Sequence, residues 1–178
     1  MNLLIDVDGV VADTHRLLIR QLNKERGWHL KASDITCYDA VVNGVDIGKE
    51  MTERLKYPAF ALAVPVTPGF IQAHSLLYKA ADMSFVTARP HKAKVSTETW
   101  LYIHGIGTAA WFANAEERVA GYGFYVPRST ILIDDNASTC DAWVTAGGRA
   151  ILFDRPWNRG ECSAPRAKGW KGVLGRLL

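Results

Sequence analysis

The sequence predicts an α/β protein with a doubly wound parallel sheet. Short apolar runs of the kind found in strands buried on both faces alternate with stretches that have apolar residues at helical spacing. The runs cover residues 3–5, 83–86, 109–113, 130–133 and 149–153. Such alternation implies right-handed crossovers and helices on both faces of the sheet.

Length and composition fit one globular domain. The 178 residues are 48% hydrophobic and 22% charged, with a net charge of +3, as expected for a soluble chain. Three cysteines without the paired spacing of a metal site favour reduced thiols and a cytoplasmic location. Neither a signal peptide nor an apolar run long enough for a membrane is evident, so no membrane partner is expected.

Three helices are predicted between the strands, each with apolar residues every three or four positions. They cover residues 14–26, 68–81 and 91–104. Gly27 ends the first helix. In the last helix we expect Val95, Trp100 and Ile103 to face the sheet.

A segment between the first two strands departs from this alternation. Residues 28–66 contain only two weak helical patterns and turns. We assign them to a small helical cap inserted into a single domain, residues 1–178. The core of that domain then comprises residues 1–27 and 67–178.

Two carboxylates directly follow the first strand. Asp6 and Asp8 stand in the sequence Asp-Val-Asp-Gly, and Gly9 ends the strand. Ligands of open α/β sheets bind beyond the carboxyl ends of the strands, and carboxylates this close repel each other unless a cation compensates. A hard divalent cation such as Mg²⁺ is the simplest partner. Taken alone, the tetrapeptide is equally typical of a turn.

Two other strands also end in polar residues. Thr87 follows the second strand, and its hydroxyl, together with the backbone N–H groups that begin at Ala88, suits a phosphate oxygen. Asp134 and Asp135 follow the strand at 130–133. Acidic residues directly behind a buried strand are candidate metal ligands.

The residues at these three strand ends resemble the first, second and fourth motifs of the haloacid dehalogenase (HAD) superfamily of phosphotransferases, and they occur in the family's order. The resemblance implies a Rossmann-like core, Mg²⁺ as cofactor and a small-molecule phosphate ester as substrate. Four segments narrow it further: residues 6–13, 35–39, 65–69 and 152–158. They are similar to the cytosolic and mitochondrial 5'(3')-deoxyribonucleotidases and their bacterial and phage relatives, which implies hydrolysis of (deoxy)ribonucleoside monophosphates.

The resemblance also implies roles for individual residues. Asp6 would attack phosphorus and form an aspartyl-phosphate, and Asp8 would act as general acid and then as general base. An acid at this position favours phosphate chemistry over carbon–halogen chemistry. Mg²⁺ would be held by Asp6, the backbone carbonyl of Val7 and Asp134, with Asp135 orienting the ligands.

The family's third motif supplies a cation that is harder to place. Relatives often carry it about ten residues before the acid pair, where this chain has Phe124. Arg118 is the first candidate for this catalytic, phosphate-binding role, and Arg128 is the second. Either side chain could instead be an ordinary surface arginine.

Substrate choice is expected to depend on the inserted segment. Its aromatic residues Tyr38, Tyr57 and Phe60 could stack on a base or form a small core of the segment. Trp157 and Asn158 could approach the same pocket or pack against the sheet edge.

Other interpretations remain open. A polynucleotide 3'-phosphatase would use the basic C-terminal residues for salt-dependent affinity, although such residues usually form a solvated tail. They are Arg155, Arg159, Arg166, Lys168, Lys171 and Arg176. A non-catalytic module that binds a phosphorylated ligand would not need both the nucleophile and its acid/base partner. The sequence leaves the oligomeric state open, a homodimer included.

The histidines show no ligand spacing. We expect them to be packing or surface groups. They are His15, His29, His74, His91 and His104.

Overall fold

A six-stranded parallel sheet forms the centre of the protein in a computed structural model that describes residues 1–107, 109–121 and 129–178. The strands are β1 (Asn2–Asp6), β2 (Val41–Val42), β3 (Val45–Asp46), β4 (Asp82–Thr87), β5 (Trp111–Phe112), β6 (Thr130–Asp134), β7 (Arg149–Phe153) and β8 (Arg166–Ala167). The helices are α1 (Thr14–Arg26), α2 (Ile47–Leu55), α3 (Pro58–Ala61), α4 (Phe70–Leu77), α5 (Lys94–Ile103), α6 (Ala115–Ala120), α7 (Ala137–Thr145) and α8 (Gly169–Leu177).

The strand order is β5-β4-β1-β6-β7-β8, and every neighbouring pair is parallel. The predicted α/β class with a parallel sheet is therefore confirmed. β1 lies between β4 and β6, so their carboxyl ends meet at one edge of the sheet. This arrangement brings Asp6, Thr87 and Asp134 to the same side of the molecule.

The core lies on both faces of the sheet because successive side chains of a strand point in opposite directions. Leu3 and Ile5 of β1 belong to one buried cluster, and Leu4 belongs to the other. Trp100 and Trp143 lie one in each cluster and are fully buried. Burying large side chains on both faces is the main stabilising contribution in such a fold.

The inserted segment contains a small hairpin, β2–β3, as well as α2 and α3. Its buried residues Ile35, Ile47 and Phe60 belong to the same apolar cluster as the core. The indole N–H of Trp100 donates to the carbonyl of Val64 at 2.7 Å. Packing and a buried hydrogen bond thus join the segment to α5.

The orientation of α5 differs from the prediction. Trp100 is fully buried, but Val95 and Ile103 are 78% and 58% exposed. The helix starts only at Lys94, after a 3-10 turn, and its inner face includes Thr97, which accepts a hydrogen bond from Arg89. The buried residues Ser96, Thr97, Trp100 and Leu101 do follow the helical period, but two of them are polar, so the pattern of apolar residues did not reveal this face.

The C-terminal region is not a solvated tail. Its residues form β8 and α8, and Trp170 is buried. The indole N–H of Trp170 donates to the carbonyl of Val10 at 3.1 Å. This contact packs α8 against the loop that follows β1.

Candidate active site

Three carboxylates form a buried cluster at the carboxyl edge of the sheet. Asp6 ends β1, Asp134 ends β6, and Asp135 follows directly. One oxygen from each lies within 4.8 Å of the others, and all three side chains are buried. Such a group of hard oxygen donors suits a divalent cation.

Arg118 extends into this cluster from α6. Its Nη2 donates to Asp6 Oδ1 at 2.7 Å, and its Nη1 pairs with Asp134. The Nε group donates to the carbonyl of Ala113 at 3.1 Å, which fixes the guanidinium plane. Arg118, the first candidate from the sequence, therefore lies beside the expected nucleophile. Arg128 and Phe124 lie outside the described residues.

Asp8 is held by a residue that the sequence reasoning missed. Arg89 donates from Nε to Asp8 Oδ2 at 2.7 Å and from a terminal nitrogen to Oδ1 at 2.8 Å. Such two-bond pairs are among the stronger polar contacts in proteins. Arg89 is buried. Its place two residues after Thr87, at a strand end, was the signal available in the sequence.

Hydroxyl groups complete the surroundings of Asp8. Thr14 donates to its Oδ1, and Thr87 lies 3.4 Å from its Oδ2. The Thr87 hydroxyl also accepts the backbone N–H of Arg89 at 3.2 Å. Thr87 is fully buried, whereas Ala88 lines the pocket.

Asp135 is oriented by two aromatic donors. The hydroxyl of Tyr38 donates to Oδ1 at 2.7 Å, and the indole N–H of Trp157 donates to Oδ2 at 2.8 Å. Gly9 has a positive φ of 80°, and a Cβ at this position would clash with the carboxylate of Asp135. Only glycine allows this approach of the first loop.

The environment shifts the pKa values of the acidic residues in opposite directions. Burial raises the pKa of Asp6 well above its ordinary value, although Arg118 opposes the change. Burial and the neighbouring Asp134 raise the pKa of Asp135 to about 7. For Asp8, burial is outweighed mainly by Arg89, so its pKa is lowered. A cation at the three-carboxylate cluster would therefore replace protons, whereas Asp8 already has a counter-ion.

The chemistry of the cluster fits Mg²⁺, with one correction to the expected ligands. The carbonyl of Val7 accepts the backbone N–H groups of Val11 at 2.9 Å and Ala12 at 2.7 Å. Both of its lone pairs are thus used within the loop. The residues that could hold the ion are the three buried carboxylates.

The expected substrate-binding residues divide into two groups. Tyr38 lines the pocket, although its hydroxyl is bound to Asp135. Tyr57 is 63% exposed, with the Lys92 ammonium group 5.9 Å from its ring, and Phe60 is buried in the core. Neither lines the pocket. Phe60 packs in the core, which is the alternative that the sequence left open, and a contact of Tyr57 with a base stays a prediction.

Trp157 and Asn158 support the acidic residues instead of a substrate. Trp157 is buried beside His15, with the ring centres 3.7 Å apart. The side-chain amide of Asn158 donates to the carbonyls of Asp135 and Phe153 at 2.6 and 2.8 Å. Both residues thus fix the position of the acid pair from behind.

The pocket at this edge has a volume of about 180 Å³. One wall is formed by α2 of the inserted segment, through Met51, Thr52 and Leu55. His15 lines another side and is buried, so it is a pocket residue as well as a packing group. No sequence pattern distinguished these side chains.

Known structures with the same fold are numerous, whereas no protein-family model and no curated protein matches the sequence. A HAD family hydrolase from Deinococcus radiodurans R1, solved with phosphate and sodium, has a TM-score of 0.68 and 15% identity, over 99% of this chain and 94% of that one. CbbY from Rhodobacter sphaeroides, solved with phosphate, has a TM-score of 0.60 and 19% identity, over 99% and 98%.

YfnB from Bacillus subtilis, a HAD-type hydrolase bound to magnesium, has a TM-score of 0.65 and 14% identity, over 99% of this chain and 97% of that one. These similarities establish the fold: the chain has the architecture of the HAD hydrolases. Within the described residues, no helix combines the length and apolar character that a bilayer crossing requires.

Proposed function

We propose that this protein is a Mg²⁺-dependent phosphomonoesterase with Asp6 as the nucleophile. The observation that carries the proposal is the arrangement around Asp6. Its carboxylate lies 2.7 Å from the Arg118 guanidinium and within a cluster of three carboxylates suited to a divalent cation. A nucleophile beside fixed positive charge is what transfer of a phosphoryl group requires.

The reaction proceeds in two displacements. Asp6 attacks phosphorus, the bond to the leaving oxygen breaks, and Asp8 gives that oxygen a proton. Water then attacks the aspartyl-phosphate, Asp8 accepts the proton of the water, and inorganic phosphate leaves. When bound, Mg²⁺ supplies charge neutralisation on the transferring oxygens.

Arg89 gives Asp8 a means of changing its protonation. While the pair is intact, the Asp8 carboxylate is anionic, and its pKa is lowered. An incoming phosphate competes for the Arg89 guanidinium, and a less tightly paired Asp8 takes up a proton more readily. Binding of the substrate would thus prepare the acid for the first step.

For the substrate we propose a nucleoside monophosphate. The four segments that resemble deoxyribonucleotidases support this choice, and so does the wall of Tyr38, Met51 and Leu55 beside the carboxylates. A pocket of about 180 Å³ is smaller than those that enclose whole drug-sized ligands. It would hold the phosphate and part of the sugar, leaving the base at the pocket mouth.

The experiment is a phosphate-release assay with purified protein and Mg²⁺. The substrates are deoxyribo- and ribonucleoside monophosphates, sugar phosphates and a 3'-phosphorylated oligonucleotide. We expect nucleoside monophosphates to be hydrolysed fastest, Asp6→Asn to lower turnover by at least about a thousandfold, and excess chelator to abolish activity. Asp82→Asn, an exposed change at the opposite end of β4, should leave activity unchanged.

Two results would contradict different parts of the proposal. Activity of Asp6→Asn near the wild-type level would exclude the nucleophile and hence the mechanism. A preference for the oligonucleotide over every mononucleotide would keep the mechanism and assign the enzyme to the processing of polynucleotide ends.

A further inference from the structure

A second pocket lies beside α1, outside the carboxylate cluster. We call it the α1 pocket, and it is formed mainly by Arg16, Ile19 and Arg20 together with Arg155, Pro156 and Trp157. Its volume is about 470 Å³, compared with about 180 Å³ for the catalytic pocket. This volume is within the range of pockets that bind small organic ligands.

The two pockets share one wall. The ring of His15 stacks on the ring of Trp157 at 3.7 Å, and His15 lines both pockets. Because Trp157 donates to Asp135, a ligand in the α1 pocket would lie against the pair of rings that holds this carboxylate. His15 Nδ1 is buried without a hydrogen-bond partner among the described residues.

Positive charge is concentrated at the mouth of the α1 pocket. Arg16 and Arg20 are four residues apart, so their side chains are neighbours on one face of α1. Both are exposed, and neither forms an ion pair with any described carboxylate. Glu25 of the same helix is paired with Arg54 of α2 instead.

Arg155 adds a third guanidinium that is fixed in place. Its Nε donates to the carbonyl of Gly9 at 2.6 Å, and Nη2 donates to the Thr67 hydroxyl at 3.3 Å. Among the described residues, Asp13 supplies the only carboxylate of the lining. Three arginines and one aspartate give the pocket a formal charge of +2, since burial lowers the pKa of His15 to about 4 and keeps it neutral.

The inner part of the pocket is mainly apolar. Ile19, Pro156 and Trp157 all line the pocket, and Ile19 and Trp157 are buried. An apolar floor below two unpaired guanidiniums suits a molecule with a flat apolar part and a phosphate. A small inorganic anion would leave the floor uncovered, and a neutral aromatic molecule would leave the charges unmatched.

We propose that the α1 pocket is a second binding site, for a small aromatic phosphate ester that Arg16 and Arg20 hold by its phosphate. The site is separate from the catalytic pocket, and its existence does not depend on the proposed hydrolase activity.

Nuclear magnetic resonance titration of the full chain tests this proposal. Adenosine 5'-monophosphate is added in chelator without Mg²⁺, and backbone amide shifts are followed in two places. Amides of Arg16, Ile19 and Arg20 report on the α1 pocket, whereas those of Ala88 and Asn136 report on the catalytic pocket. We expect saturable shifts at the α1 amides, with much weaker binding of adenosine alone and of inorganic phosphate alone.

Charge-removing variants provide the control. Arg16→Gln with Arg20→Gln should weaken binding at the α1 amides at least about tenfold, because two charge-assisted contacts are lost. Lys79→Gln with Lys171→Gln removes the same charge from exposed positions outside α1 and outside the pocket and should leave the affinity unchanged. Shifts confined to the catalytic amides, or equal weakening by both pairs of changes, would overturn the proposal.

Discussion

The pair formed by Arg89 and Asp8 makes the sharpest prediction about stability. Replacing Arg89 with Met removes both bonds to the carboxylate, at 2.7 and 2.8 Å, and leaves Asp8 without its counter-ion. Breaking a buried ion pair from one side costs about 3 to 5 kcal/mol. The Asp8 side chain is 16% exposed, so water can reach it in part, and we expect the lower figure, about 3 kcal/mol.

A double-mutant cycle separates this cost from other effects. Asp8→Asn in the Arg89→Met background removes the unpaired charge, so the combined loss should be smaller than the sum of the two single losses by about 2 kcal/mol. The contact of Arg89 with Thr97 is lost in both Arg89→Met proteins and cancels in the cycle. Arg89→Lys keeps the charge but cannot form both bonds to Asp8. It should lower the free energy of unfolding by only about 1 kcal/mol.

Urea unfolding in chelator, followed by circular dichroism, measures the four proteins of the cycle and Arg89→Lys. Chelator is needed because a bound metal would change the charge near Asp8. Losses for Arg89→Met and Asp8→Asn that add within about 0.5 kcal/mol would show that the two groups do not interact. The reasoning about the active-site geometry would then be refuted.

Two further predictions concern pH and metal. Burial lowers the pKa of His15 from 6.5 to about 4. Between these two pH values the unfolded chain binds a proton that the folded chain does not. The free energy of unfolding therefore decreases as the pH is lowered through this range. The decrease in the free energy of unfolding from about pH 7.5 to about pH 5 should be larger by about 2 kcal/mol in the wild type than in His15→Phe. If urea unfolding shows the same pH dependence for both proteins, this prediction is contradicted. Burial and the neighbouring Asp134 raise the pKa of Asp135 to about 7. In the metal-free protein, the stability that this group contributes is therefore lost as the pH rises through about 7. We expect Mg²⁺ to raise the melting temperature more at about pH 8 than at about pH 5.5. Asp134→Asn should abolish this rise, whereas Asp82→Asn, at an exposed position, should not; a rise that persists in Asp134→Asn would exclude the cluster as the metal site.

The class of the fold could be predicted because its signals are local. Runs such as Leu3 to Ile5 are apolar without alternation, which suits a strand covered on both faces. Parallel strands joined by helices place their carboxyl ends at one edge, so the closeness of Asp6 and Asp134 follows from topology alone. The position of Arg118 was also accessible, since it follows a short strand at that same edge.

Side-chain partners were decided only by the tertiary structure. Arg89 and Asp8 are 81 residues apart, and Tyr38 and Asp135 are 97 apart. No local pattern encodes which of several polar groups such a side chain meets. Tyr57 and Phe60 seemed equal to Tyr38 in the sequence, but packing turns one outwards and buries the other.

The sequence by itself determined which polar residues follow the ends of the strands and that these ends meet at one edge of the sheet. Hydrophobic burial and chain chirality leave few other arrangements for such a pattern of strands and helices. Tertiary structure decided that the Val7 carbonyl is used within its own loop, and that α2 forms a wall of the pocket. It also decided that Trp157 holds Asp135 and separates the catalytic pocket from the α1 pocket. These contacts depend on the directions of side chains and carbonyls brought together from distant parts of the chain, which are fixed only when the whole core is packed.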